Sequence, residues 1–204
     1  VAGAMPSCSP MALALMPSFA GLAATAKGEN DDAARFLIHP DWIATPALGL
    51  RNGFADNAAI VLADVPSLLP AQAESIASFV RQGGSLLVAH GARSDAAFYN
   101  KWESDSTGAN GSPARAAVLP LTLGECKLTE DGLRMDTASF THPALAMFRE
   151  QGDLGDAVLA CYREADGEAH PERVVAKLQD GAPLMAEQQF GKGRVIQFFV
   201  PLDA

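Results

Sequence analysis

The chain has 204 residues, of which 49% are hydrophobic, and it carries a formal net charge of −9. This length and composition suit one soluble globular domain with a sizeable core, which we expect to span residues 1–204. The acidic charge, together with the lack of a basic cluster, argues against nucleic acid or an anionic membrane surface as a partner.

The first fifty residues are rich in Ala and Pro and give the weakest patterns. Met11–Leu15 predicts a short helix, and Arg35–Ile38 predicts a strand that ends before Pro40. No run of residues reaches the ~20 apolar residues that a membrane-spanning helix needs. The chain begins at Val1 and ends just after an apolar strand pattern, so we expect it to be a piece of a longer protein.

The pattern becomes clear from residue 58 onward. Ala59–Ala63 and Ser85–Ala89 are continuous apolar runs of strand length, as is typical of strands buried on both faces. Between them, apolar residues recur at helical spacing from Pro70, which suits a first helical turn, to Gly83-Gly84, which predicts the end of a helix. Strand, helix and strand make a βαβ unit, which predicts two parallel strands.

The later part of the chain favours antiparallel strands. Ser104–Pro113 is polar and glycine-rich, which predicts a surface loop. Asp180-Gly181 and Gly191–Gly193 are turn signals between apolar runs. The predicted strands that these turns join are Val174–Leu178, Leu184–Phe190 and Arg194–Val200, the last of them apolar enough to be central. The sequence therefore predicts an α/β domain with a mixed sheet, parallel at its centre and with antiparallel strands added late.

Polar residues follow both predicted parallel strands at their carboxyl ends, the edge at which open α/β sheets bind ligands. We predict five ligand-binding residues here: Asp64 after the first strand, and His90, Gly91, Ser94 and Asp95 after the second. Structural explanations remain open beside this one. Asp64 suits a turn, His90 a hydrogen-bonded core position, and Ser94 a helix N-cap.

Other chemical motifs are missing from the sequence. Cys8, Cys126 and Cys161 show no metal-binding spacing, and their spacing leaves open whether they are free or partly paired. There is no GxSxG elbow, phosphate loop or calcium loop. His170-Pro171-Glu172 matches the HPE of an amidotransferase triad, but it follows a polar turn and not a buried strand, so we interpret it as coincidental. We predict no catalytic residue, no metal and no cofactor.

An ordered series of segments resembles a known family. The segments are IVLADVP at 60–66, FVRQGGSLLVAHG at 79–91, THPAL at 141–145 and GKGRVIQFF at 191–199. They resemble the class I glutamine amidotransferase-like domain of BatA-like (aerotolerance-regulator) bacterial membrane proteins, which also contain a double-transmembrane region and a von Willebrand factor A domain. The resemblance implies a flavodoxin-like, three-layer α/β/α fold with a mostly parallel central sheet.

The catalytic triad of the amidotransferases is not carried over by this resemblance. The nucleophile position falls at His90–Ala92 and has no Cys, and the His-Glu position falls at Val200–Asp203 and has neither residue. Glutamine hydrolysis needs a thiolate activated by a base. We therefore expect a non-catalytic binding or interaction domain of a membrane-anchored cell-envelope protein.

The family also implies a setting for the domain. Its partners would be other proteins or other domains of the parent, and membrane attachment would lie outside this fragment. The family's basic loop between the two membrane helices places the following domains in the periplasm by the positive-inside rule. No small-molecule ligand is identified.

Two alternative functions fit the same residues. An uncharacterised hydrolase or carbohydrate-acting domain would use Asp64, His90, Ser94 or Asp95, and it requires at least two of these side chains within hydrogen-bond reach in a concave pocket. A small-molecule sensor would keep the pocket without the chemistry.

Overall fold

A computed structural model describes residues 41, 43–50, 53–107, 113–151 and 156–201. The predicted helix Met11–Leu15 and strand Arg35–Ile38 lie outside this part of the chain. The helices are α1 (Pro70–Arg81), α2 (Ala96–Tyr99) and α3 (Ala146–Gln151), with short 3-10 turns at Thr45–Leu50, Thr137–Ser139, Pro143–Leu145 and Pro171–Arg173. The strands are β1 (Ala59–Ala63), β2 (Ser85–Ala89), β3 (Glu103–Thr107), β4 (Pro113–Ala117), β5 (Leu123–Asp136), β6 (Val158–Ala165), β7 (Val174–Leu178), β8 (Pro183–Phe190) and β9 (Gly193–Phe198). None of the described helices is long and apolar enough to span a membrane.

The predicted βαβ unit is confirmed. Strands β1 and β2 pair in parallel, with α1 between them in the chain. Pro70 lies in the first turn of α1, and the helix ends as the glycine pair predicts. Gly83 has a φ of +122°, its N–H donates to the Val80 carbonyl, and the Gly84 N–H donates to the Phe79 carbonyl. This Schellman-type ending reverses the chain directly into β2.

The predicted fold class is wrong. The main sheet has the order β1-β2-β9-β8-β7-β5-β6, in which only the β1–β2 and β2–β9 pairs are parallel and the other four are antiparallel. The described chain is therefore strand-rich and mostly antiparallel, and it is not a flavodoxin-like, three-layer α/β/α domain with a mostly parallel sheet. The βαβ unit is real but stands alone, because short turns join β7 to β8 and β8 to β9 and tight turns make antiparallel neighbours.

The C-terminal predictions are confirmed in their local detail. Gly181, with a φ of +88°, lies in the turn between β7 and β8, and Gly191 begins the turn between β8 and β9. Strand β9 is central, because it pairs with β2 on one side and with β8 on the other. The predicted loop over Ser104–Pro113 is wrong at both ends, since β3 and β4 form a two-stranded antiparallel sheet there and residues 108–112 lie outside the described part.

Two hydrophobic cores cover opposite faces of the sheet. Val195 belongs to the core that contains the buried face of α1, whereas its neighbour Ile196 packs against a second core built around Phe140 and Leu178. Successive residues of a strand point to opposite faces, so β9 contributes to both cores. Strand β1 was expected to be buried on both faces, but its burial alternates, and Val61 is 41% exposed.

Candidate functional site

The carboxyl ends of β1, β2 and β9 lie side by side. The Asp64 N–H donates to the Ala89 carbonyl at 2.9 Å, and the His90 N–H donates to the Phe198 carbonyl at 3.0 Å. Arg163 of β6 joins the same edge, because its N–H donates to the Phe199 carbonyl at 2.7 Å. We call Asp64, His90, Ser94, Arg163 and Gln197 the strand-end cluster.

The Asp64 carboxylate holds the loop that follows β2. Its Oδ1 accepts hydrogen bonds from the backbone N–H groups of Gly91, Arg93 and Ser94, each at 3.1 Å, and from the Ser94 hydroxyl at 3.2 Å. The Arg93 Nε donates to Oδ2 at 3.1 Å. Asp64 itself adopts a φ of 42°, in the left-handed region that few non-glycine residues enter. Its oxygens are therefore occupied by the protein's own donors.

Gly91 is the predicted site residue that brings the loop close to Asp64. A Cβ built on Gly91 would lie 2.6 Å from the Asp64 Cγ, closer than such atoms can approach. The glycine is therefore needed for close packing of the loop on the carboxylate, which is a structural role.

Ser94 and Asp95 have different roles from those considered in the sequence. The N-cap of α2 is Asp95, whose Oδ1 accepts from the Ala97 N–H at 2.9 Å, so the N-cap explanation for Ser94 is wrong. Ser94 is only 2% exposed, and besides donating to Asp64 it accepts from the Gly91 N–H at 3.3 Å. The structure thus brings Asp64, Gly91 and Ser94 into contact, while Asp95 is exposed and caps the N-terminus of α2.

His90 is fully buried and is oriented by Gln197. The Gln197 Oε1 accepts from the Leu121 N–H at 3.1 Å, so its amide nitrogen faces the His90 Nε2 at 3.1 Å and donates to it. The imidazole proton therefore lies on Nδ1. The pKa of His90 is lowered from 6.5 to about 3, chiefly by burial and next by the nearby Arg163 charge, while Asp64 acts in the opposite direction. His90 is neutral at physiological pH.

Arg163 is a buried cation with few partners. The residue is 9% exposed, and its Nη2 donates to the Ser94 carbonyl. The Nε of Arg163 and the Nδ1 of His90 are both buried without a hydrogen-bond partner. Among the residues that the structure describes, no carboxylate forms an ion pair with Arg163. The sequence did not reveal Arg163 or Gln197 as part of the site, because both come from strands much later in the chain.

Two cysteines lie on the β5–β6 ribbon near this edge. Leu128 is opposite Cys161 and Cys126 is opposite Arg163, so Cys126, Cys161 and Arg163 share one face of the ribbon. Both thiols are free and partly buried, whereas Cys8 lies outside the described residues. The pKa of Cys161 is raised, chiefly by burial and next by Cys126.

The strand-end cluster meets one of the two conditions set for a hydrolase site. Asp64 and Ser94 are within hydrogen-bond reach, which meets half of the requirement for a hydrolase. The other half is a concave pocket, and the two cavities described, of about 830 and 370 Å³, are lined by other residues. The larger is an open cleft between the end of β6 and the β7–β8 turn, crossed by a hydrogen bond from the Tyr162 hydroxyl to Asp180 at 3.2 Å.

Metal-binding and triad motifs give no further site. Within the described ranges, no group of three or more His, Cys, Asp or Glu side chains is placed to hold a metal ion. His170 and Glu172 contact each other at 3.3 Å in an exposed 3-10 turn before β7. That position agrees with the interpretation of the HPE tripeptide as coincidental.

Comparisons with known proteins identify the fold and no family. No protein-family model matches the chain, and no curated protein matches it. Cytoplasmic protein STM1381 from Salmonella typhimurium LT2 shares 21% identity at a TM-score of 0.53, over 72% of this chain and 62% of that one. Cytoplasmic protein STM3548 from Salmonella typhimurium shares 19% identity at a TM-score of 0.50, over 82% of this chain and 66% of that one. The chain thus spans less than two thirds of either protein, and at this identity the likeness concerns the fold alone.

Proposed function

We propose that this chain is a non-catalytic binding or interaction domain, in which the strand-end cluster holds the fold together and does no chemistry. The observation that supports this most directly is that the two side chains suited to hydrolysis, Asp64 and Ser94, are bound to each other and to the 91–94 loop. The Asp64 carboxylate receives three backbone N–H groups and a hydroxyl, and the Ser94 hydroxyl is bound to that carboxylate.

The protonation of the cluster supports the same proposal. A general base is most effective when its pKa lies near the working pH, and His90, at about 3, is far below it. Its imidazole is fully buried, so a substrate of the size of glutamine or a sugar has no direct access to it. A serine nucleophile also needs an adjacent base, but Ser94 donates to Asp64 and not to His90.

The parent protein and its location remain proposals that depend on the sequence resemblance. We propose a membrane-anchored bacterial cell-envelope protein of the BatA-like type, with this domain in the periplasm and with proteins or other domains of the parent as its partners. The upstream reading frame tests the first point, because it should encode two membrane helices and a von Willebrand factor A domain. Fusion of the full parent to alkaline phosphatase and to a fluorescent protein tests the location.

Activity assays on the purified domain test the absence of chemistry. Glutamine, simple amides and esters, and nitrophenyl glycosides should show no turnover above buffer. His90→Gln and Ser94→Ala variants, checked for folding by circular dichroism, provide matched controls. Turnover by the wild-type domain that either substitution abolishes would show that the cluster is catalytic and that the proposal is wrong.

A further inference from the structure

Arg163 presents a charge that the described protein leaves without a counter-ion. A buried charge costs several kcal/mol unless it is paired and hydrogen-bonded. Asp64 is the acidic residue of the strand-end cluster, but its carboxylate oxygens already accept hydrogen bonds from the 91–94 loop and from the Arg93 side chain. The Arg163 guanidinium donates a hydrogen bond to a neutral group, the Ser94 carbonyl.

His90 supplies a second unused donor in the same place. Because Gln197 donates to Nε2, the Nδ1–H of His90 points into protein without an acceptor. The Arg163 guanidinium lies at the loop that follows His90, since its Nη2 donates to the Ser94 carbonyl. Buried donors in native proteins are almost always paired, so two unpaired donors in one cluster need an explanation.

We propose that the strand-end cluster binds a small oxyanion, either a carboxylate or inorganic phosphate, held by the Arg163 guanidinium with the His90 Nδ1–H as a second donor. A guanidinium presents a planar fork of N–H groups that fits the oxygens of carboxylate and phosphate. The anion would lie outside both described cavities, which other residues line.

The unpaired charge at the cluster favours an anion over a water molecule. Arg163 has no carboxylate partner among the described residues, although the whole chain carries a net charge of −9. Water would satisfy the hydrogen bonds but would leave the charge uncompensated. This inference is separate from the proposed interaction role, because a domain can bind an anion and still lack turnover.

Nuclear magnetic resonance gives a direct test on the whole chain. Formate, acetate, phosphate and chloride are titrated separately into ¹⁵N-labelled protein at constant ionic strength, while the Arg163 Nε–H and His90 Nδ1–H signals are followed. Formate, acetate or phosphate should shift both signals along one saturable curve and should also raise the melting temperature. The comparison between these salts separates a carboxylate from a phosphate ligand.

Three variants identify the anion's partner. Arg163→Met should abolish the saturable shift of the His90 signal, and Arg163→Lys, which keeps the charge but not the fork, should weaken binding about tenfold. Arg93→Met is the matched control, because Arg93 lies at the same loop with a side chain 68% exposed, and it should bind as the wild type does.

Three results would overturn the inference: no saturable shift with any oxyanion, a response to chloride alone, or a shift that persists in Arg163→Met. If Arg163→Met fails to fold, the wild-type titration and Arg163→Lys still decide the outcome. The turnover assays are unaffected by any of these results, so the two proposals fail separately.

Discussion

Replacement of Asp64 should loosen the edge of the sheet where β1 and β2 end. Three substitutions separate the two features of this residue, its carboxylate and its left-handed backbone at φ 42°. Asp64→Asn keeps one acceptor oxygen and a side chain that tolerates this backbone conformation. Asp64→Gly removes the acceptor oxygens but still tolerates the positive φ. Asp64→Ala removes the acceptor oxygens and is also strained at this φ.

The contacts set the size of each effect. Oδ1 accepts from three backbone N–H groups and from the Ser94 hydroxyl, at 3.1 to 3.2 Å. At about 1 kcal/mol net for each bond, and with part of the loop free to rehydrate, loss of the carboxylate should cost about 3 kcal/mol. Alanine should cost about 1 kcal/mol more than glycine because of the positive φ. Stability should therefore fall in the order wild type, Asp64→Asn, Asp64→Gly, Asp64→Ala.

Urea unfolding followed by circular dichroism measures these differences, with equal m-values as the check that the comparison is valid. Arg93→Met serves as the control, since its exposed ion pair with Asp64 should contribute less than about 0.5 kcal/mol. If Asp64→Ala unfolds within about 0.5 kcal/mol of the wild type, the carboxylate does not hold the loop and the structural interpretation of this residue is wrong.

Three further predictions follow from burial and packing. His90 has a pKa of about 3 in the fold against 6.5 when exposed, so the folded state binds fewer protons between these values and its stability is complete above pH 6.5. The stability advantage of the wild type over His90→Gln should therefore shrink by about 1.4 kcal/mol per pH unit as the pH falls from 6 towards 3, and a constant difference in urea unfolding would contradict the burial argument. Gly193→Ala should cost more than about 3 kcal/mol, because its Cβ would lie 2.2 Å from two backbone carbonyl oxygens, whereas Gly181→Ala, with open space and a φ of +88°, should cost about 1 kcal/mol in the same assay. Ser104→Ala should lower the unfolding free energy by about 1 to 2 kcal/mol, since the buried hydroxyl donates to Glu74 at 2.9 Å and accepts from Arg81 at 2.8 Å; an unchanged urea midpoint would show that these bonds contribute nothing.

The local patterns of the sequence predicted more than its global ones. The βαβ unit, the glycine stop after α1 and the β7–β8–β9 hairpins each depend on contacts within one short segment, and each is found. The overall fold class was wrong because it took one parallel unit as the centre of a mostly parallel sheet with a few late antiparallel strands, whereas four of the six strand pairs of the main sheet are antiparallel. Strand β5 pairs with both β6 and β7, and the pattern of a short segment does not show which strands will be its neighbours in the sheet.

The candidate site shows the same division. Strand-end geometry placed Asp64, His90 and Ser94 at one edge of the sheet correctly. It could not show that Asp64 accepts from the loop, or that Arg163 and Gln197 complete the cluster from β6 and β9. Arg163 and Gln197 reach the cluster because their strands pair with strands far away in the sequence. Residue spacing along the chain does not show which distant strands pair.

The position of β9 has a consequence for how this chain folds. Ser85 of β2 pairs with Arg194 of β9, so strands from opposite ends of the described chain meet at the middle of the sheet. During synthesis, β1 and β2 emerge before β9, and the edge of β2 that pairs with β9 stays unpaired until β9 leaves the ribosome. Such long-range pairing slows folding and exposes strand edges that can pair with other chains. Nascent chains that stop before Gly193 should therefore need protection from aggregation that the finished chain does not.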